Sequence, residues 1–204
     1  MSDLFCAVRI LFVRHAEAEY VETWFSDEGG TLTAQGRSQA SALADDLRGE
    51  RIARIWSSDS ARAVQTAEIA AAALGVGVMT RPALREIAIG DLLGGPFDVA
   101  RLIEVTDRWE TGDLDVAFPG GESGHDVVRR YAAVLEEIAD THRGETVLVV
   151  GHESAACAAL PQIARGVPQP RPDVTRSLEH ALPVVLEGDA DGWVIHRWAG
   201  LELA

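Results

Sequence analysis

The chain has 204 residues, 47% of them hydrophobic and 25% charged, and its 18 basic against 32 acidic side chains give a formal net charge of −14. All 18 cations are arginine, and neither lysine nor asparagine occurs anywhere. Those absences exclude Schiff-base catalysis by a lysine amine, a lysine-bearing Walker loop and N-glycosylation, while the acidic balance argues against binding nucleic acid or an anionic membrane.

In chain order, Ala7 to Val13 is short and almost wholly apolar, the pattern of a strand covered on both faces. A helix is predicted from Thr33, a good N-cap, to Arg48, with Gly49 as its stop. Ile52 to Trp56 reads as a second buried strand, and the alanine-rich Ser60 to Leu74 as a helix ending at Gly75. Ile87 to Gly121 is glycine-rich and weakly periodic, and is read as a cap-like excursion over the sheet. Ser123 to Thr141 opens with a variant capping box, Ser123 and Asp126, and ends before Gly144. Thr146 to Val150 is a third buried strand, followed by a helix from Ser154 towards Arg165 with Pro161 as a kink. The proline-rich Pro168 to Pro172 reads as a surface loop. Leu182 to Leu186 and Trp193 to Trp198 flank a turn-rich segment, which signals a hairpin.

Strands alternating with helices predict an α/β fold: a three-layer sandwich with a mostly parallel sheet, an antiparallel edge strand and helices on both faces. The length suits a single domain spanning residues 1–204. Cys6 and Cys157 are too few for a disulfide framework and lack metal-ligand spacing. No signal-peptide pattern and no membrane-length apolar run is present, so the expected location is the cytoplasm.

In open α/β sheets, ligands bind beyond the carboxyl ends of the strands. The first strand is followed by Arg14-His15, the second by Ser57-Ser58 with Arg62 one turn on, and the third by Gly151-His152. Two arginines and two histidines thus reach one sheet edge. Guanidinium forks pair with phosphate oxygens, helix N-termini add N–H donors, and a neutral imidazole attacks phosphorus. The chemistry indicated is phosphoryl transfer through a phosphohistidine.

Six segments in order also resemble the histidine phosphatase, or phosphoglycerate mutase-like, superfamily. They are Leu11 to Glu17 around Arg14-His15, Leu32 to Gly36 with Gln39-Ala40, Ser57 to Ala67, Leu84 to Ile87 with Gly90-Asp91 and Gly94, Pro119 to Ser123, and Val149 to Glu153. The resemblance implies that His15 is the nucleophile and that Arg14, Arg62 and His152 hold the phosphoryl oxygens. It implies that Glu86 protonates the leaving group and later deprotonates water. No metal and no cofactor are implied. Two positions depart from the family pattern, which has glycine where this chain has Ala16 and Glu153. A carboxylate at Glu153 would weaken anion binding unless it turns away or pairs with an arginine.

Other residues carry two readings. Glu122 either organises the Gly120-Gly121 turn or orders the substrate side of the pocket, and Glu153 and His180 are further candidates for substrate binding. Trp24, Phe25, Phe97 and Trp109 either line a substrate pocket or fill a cap core. Arg101 and Arg108 either meet a second anionic group or are solvated, and His125, His142 and His196 are expected at the surface or at helix ends. The expected partner is a small phosphorylated metabolite, with no nucleic acid and no membrane; the chain would act as a monomer or homodimer. The expected function is a small-molecule phosphatase with an acid-side pH optimum. Alternatives are a phosphoglycerate mutase-type transferase and a non-catalytic phospholigand module. The chain is shorter than typical mutases and lacks the asparagines they tend to place near phosphate, which favours the phosphatase.

Overall fold

Seven residues from Val8 to Arg14, four of them fully buried in sequence from Ile10 to Val13, make the central strand. The computed structural model describes residues 6–20, 25–26, 30–96, 98–167 and 177–203. That first strand, β1 (Val8–Arg14), pairs in parallel with β4 (Thr146–Gly151), and β4 pairs in parallel with β2 (Ile52–Ser57). On its other side β1 pairs antiparallel with β6 (Pro183–Asp189), which turns through two residues into β7 (Gly192–Trp198). The order across the sheet is β3-β2-β4-β1-β6-β7-β5, where β3 is Val78–Thr80 and β5 is Ala164–Arg165; β8 (Leu201–Glu202) pairs with β7.

Alternate residues of β1 feed two cores, as a strand covered on both faces requires. Ile10 and Phe12 join Val147, Val149 and Trp56 under α4 (Gly124–Thr141) and α5 (Glu153–Ile163). Leu11 and Val13 join Leu148, Val150 and Ile55 under α1 (Ala34–Asp46) and α2 (Ala61–Leu74). Helices therefore lie on both faces of a mostly parallel sheet.

The predicted ends have visible causes. Thr33 accepts the Gly36 N–H at the start of α1, Gly75 closes α2 at φ 71°, and Ser123 and Asp126 form a reciprocal capping box at α4. The expected antiparallel hairpin, β6–β7, lies at one end of the sheet, with only the two-residue β5 and β8 beyond β7. Two expectations change. Pro161 stays inside the last turns of α5, and Ala164–Arg165 then leaves the helix to pair with β7. Within residues 87–121 the chain forms a regular helix, α3 (Val99–Glu110), capped by Asp98. Leu102, Val105 and Trp109 follow helical spacing there, and Trp109 is buried. The proline-rich segment 168–172 lies outside the described residues.

Candidate active site

The parallel strands β1, β2 and β4 end side by side, and the residues after them converge. His15 is 2% exposed. Its Nδ1 stands 2.8 Å from the Ala16 carbonyl, which only accepts, so Nδ1 carries the proton and the Nε2 lone pair is presented outward. That lone pair accepts from Arg62 Nε at 3.0 Å and from the Tyr20 hydroxyl at 3.2 Å. Burial pushes the His15 pKa down to about 3; its bond to Ala16 opposes this, and the Arg62 and Arg14 charges lower it further.

His152 lies ring to ring with His15, their centroids 5.2 Å apart. Its Nδ1 accepts from Arg62 Nη2 at 3.1 Å, so its Nε2–H donates to Ser58 Oγ at 2.9 Å. Burial and then the Arg62 charge hold His152 well below the ordinary histidine range. One buried guanidinium thus binds two neutral imidazoles.

The two arginines are not saturated. Arg14 Nε and Arg62 Nη1 are buried N–H groups with no hydrogen-bond partner. Arg62 is only 7% exposed, so its unused donor is a desolvated positive group. Arg14 Nη1 is held by Glu153 Oε2 at 2.6 Å and by the Leu178 carbonyl at 3.3 Å. Glu153 therefore pairs with an arginine, the condition under which a carboxylate here is tolerable, and its other oxygen accepts the Leu178 N–H. Ala16 is fully buried, donates its N–H to Thr66 and is absent from the described non-glycine residues at positive φ.

Glu86 reaches the site from the segment after η1 (Pro82–Leu84), a short 3-10 helix. Its oxygens accept the N–H groups of Ser154 at 3.1 Å and Ala155 at 2.7 Å, and that of Ile87 at 3.0 Å. The N-terminus of α5 is consequently occupied by Glu86, not open to a phosphate as the strand-end reading expected. His180 accompanies β1 through an isolated parallel bridge to Arg14. Its Nδ1 donates to the His15 carbonyl at 2.7 Å, and its ring lies 5.5 Å from that of His15.

Of the two readings of Glu122, its contacts bear on the structural one. Its carboxylate is taken by Arg130, at 2.7 and 3.1 Å, and by the Ala88 N–H at 2.8 Å. Arg130 also binds the carbonyls of Ala83, Arg85 and Glu86, so this pair braces the backbone that carries Glu86. Phe25 and Trp109 are buried, whereas Trp24 and Phe97 lie outside the described residues. Arg101 and Arg108 pair with Asp98 and Asp113. His125 faces Asp115 and His196 faces Glu187, while His142 caps α4 and accepts from Trp56. Tyr20, Ser58 and Arg130 were not singled out from sequence. Ser58 falls inside a quoted motif, but nothing in spacing or composition marks Tyr20 or Arg130.

A buried nucleophilic nitrogen beside unsatisfied guanidinium donors is the equipment of an enzyme that acts on phosphate groups. The chain belongs to the histidine phosphatase superfamily (branch 1), whose family model matches residues 10–200. It is 34% identical over 200 residues to a phosphoglycerate mutase-like protein of Arabidopsis thaliana, covering 93% of this chain and 84% of that one. It is 32% identical over 154 residues to a probable phosphoglycerate mutase of Yersinia enterocolitica, covering 72% and 71% respectively. In fold it is similar to a mycobacterial glucosyl-3-phosphoglycerate phosphatase, with a TM-score of 0.76 at 24% identity and coverage of 96% of this chain and 100% of that one. Among the described residues no helix is long and apolar enough to cross a membrane.

Proposed function

We propose that this chain is a metal-independent phosphatase that hydrolyses small phosphate monoesters through a phosphohistidine on His15. The observation that carries this reading is the pair of buried donors without a partner among the described residues, Arg14 Nε and Arg62 Nη1, beside an imidazole whose unprotonated nitrogen is Nε2. A phosphoryl group supplies the missing acceptors, and burial keeps the nucleophile neutral.

In the first step the Nε2 lone pair attacks phosphorus, forming the N–P bond as the P–O bond to the leaving group breaks. Glu86 donates its proton to the departing oxygen. In the second step water attacks phosphorus, the N–P bond breaks back to His15, and Glu86 takes the water proton. Arg14 and Arg62 hold the oxygens on which charge accumulates, while His152 positions Arg62. The Tyr20 hydroxyl and the Arg62 Nε–H, now on Nε2, give way to the incoming phosphorus, and the Arg62 donor turns to its oxygens. The guanidinium charges make a metal unnecessary for these steps.

The test is trapping with a labelled phosphate ester followed by denaturation. Label retained in base and lost in acid marks a phosphohistidine, and it should be absent from His15→Ala together with turnover. The names of the sequence relatives favour one rival, a mutase that returns the group to substrate. Incubation with 3-phosphoglycerate and a trace of 2,3-bisphosphoglycerate separates the two: isomerisation faster than phosphate release would replace the phosphatase reading.

A further inference from the structure

Glu153 opens α5 directly after His152, at a position where the family pattern has glycine. An acidic residue in the first turn of a helix ordinarily serves the free N–H groups there. Here Glu86 already takes the Ser154 and Ala155 N–H groups, and Glu153 turns elsewhere. Its Oε2 stands 2.6 Å from Arg14 Nη1, and its Oε1 accepts the Leu178 N–H at 3.0 Å. The same Arg14 Nη1 donates to the Leu178 carbonyl at 3.3 Å, which closes a triangle of three residues. Leu178 is itself anchored. Its side chain is fully buried, the neighbouring Ser177 carbonyl accepts from Trp198, and His180 donates to the His15 carbonyl. The Glu153 carboxylate is therefore fixed against Arg14 by a backbone that cannot easily move.

From this triangle we infer that Glu153 is a positioning residue acting through Arg14: it aims the guanidinium at phosphate and lowers the pocket's affinity, so that product phosphate leaves. The inference rests on the phosphate-ester reading of the site. Geometry supplies its first half. A guanidinium pairs side-on through Nε and Nη2, as Arg85 does on Asp59. The triangle takes Nη1 and keeps clear of that edge, whose Nε–H in Arg14 is buried and without a partner among the described residues. Charge supplies the second half. Arg62 is held by two neutral imidazoles, whereas Arg14 carries a carboxylate directly on its guanidinium. A unit negative charge a few ångströms behind a bound anion, at the effective dielectric of a part-exposed pair, lowers the anion's affinity by about tenfold. Hydrolysis leaves inorganic phosphate in this pocket at every turnover. With both guanidiniums uncompensated the pocket would retain that product and slow the next cycle.

The test compares the full chain with Glu153→Gln, which keeps the shape and loses the charge, and with Glu153→Asp, which keeps the charge and shortens the reach. Binding of inorganic phosphate is measured by calorimetry. Glu153→Gln should bind phosphate about tenfold more tightly than the unmodified chain, and Glu153→Asp should stay within about threefold of it. Glu153→Ala replaces Glu153→Gln should that variant not fold, with the same tightening expected. A merely structural role gives the opposite sign, because both Glu153→Gln and Glu153→Asp disturb the triangle and would loosen the pocket. Three results would overturn the inference: no tightening in the uncharged variant, equal tightening in Glu153→Asp, or no phosphate binding by any form. Turnover of p-nitrophenyl phosphate by the unmodified chain is scored separately. The expected affinities without turnover would sink the phosphatase reading alone, whereas turnover without tightening would sink the role of Glu153 alone.

Discussion

Arg62 donates to both imidazoles at once, and this single guanidinium explains much of the chemistry around it. A cation at hydrogen-bond distance opposes protonation of either ring, and burial acts in the same direction. The consequence for pH is specific. The folded-state pKa of His15, about 3, lies below the ordinary histidine value of 6.5, so between those limits the unfolded chain binds a proton that the native chain does not. Stability linked to His15 is therefore complete above pH 6.5 and declines as the pH falls towards 3. Between about pH 7 and pH 5 the loss should be about 2 kcal/mol for this residue. His152 contributes in the same direction. Urea unfolding across that range should show a shallower pH slope for His15→Asn than for the unmodified chain, and equal slopes would mean that His15 is not held neutral. Tyr20 belongs at this scale too. Its ring lies under the Arg62 guanidinium at 5.6 Å, yet the residue is 49% exposed. If its hydroxyl merely covers Nε2 before substrate arrives, Tyr20→Phe should tighten vanadate binding severalfold with little change in the maximal rate. A collapse of the maximal rate in an inhibition and turnover assay would give Tyr20 a chemical role instead.

Helix α5 begins at the site and fixes three of its parts. His152 precedes it, Glu153 opens it, and its Ser154 and Ala155 N–H groups bind Glu86. From the other side, Arg130 on α4 holds the Glu86 backbone and is itself held by Glu122. Both partners are largely buried, with side chains 18% and 19% exposed, so Arg130→Ala leaves a carboxylate and three carbonyls short of a donor. The expected loss is about 3 kcal/mol in denaturant unfolding. The turnover of phenyl phosphate should fall more than that of p-nitrophenyl phosphate, because the poorer leaving group depends more on a correctly placed proton donor. Equal losses on the two esters would separate this brace from general acid chemistry. Strand β1, the caps at Thr33, Gly75 and Ser123, and the convergence of Arg14, His15, Arg62 and His152 were legible because period and strand-end position are local properties. Helix α3 was legible in principle from Asp98 and the spacing of Leu102, Val105 and Trp109, but the glycines at its flank masked it. The roles of Glu122 and Arg130 were not legible, since only the packing of α4 beside the 3-10 helix brings them against Glu86. Tyr20 was beyond reach because its position depends on a loop path that no periodicity encodes.

For the whole molecule, the −14 charge leaves the unsatisfied donors of Arg14 and Arg62 as a local exception. A small phosphate ester meets two unsatisfied guanidinium donors there, while a long polyanion meets repulsion over the rest of the surface. The topology has a different kind of consequence. β1 lies between β4 and β6, so residues 8–14 pair along their length with residues 146–151 and 183–188. A chain ending before residue 183 lacks one side of its central strand and should show no cooperative thermal transition, whereas a chain ending at residue 200, which loses the exposed β8 and the partly buried Leu203, should keep one. During synthesis, the apolar run from Ile10 to Val13 must leave the ribosome more than a hundred residues ahead of either neighbour. Residue 15 likewise waits for residues 152 and 180 before its imidazole has its surroundings. This architecture therefore exposes a wholly apolar run first and completes its chemistry last, so the nascent chain, more than the finished protein, is open to aggregation.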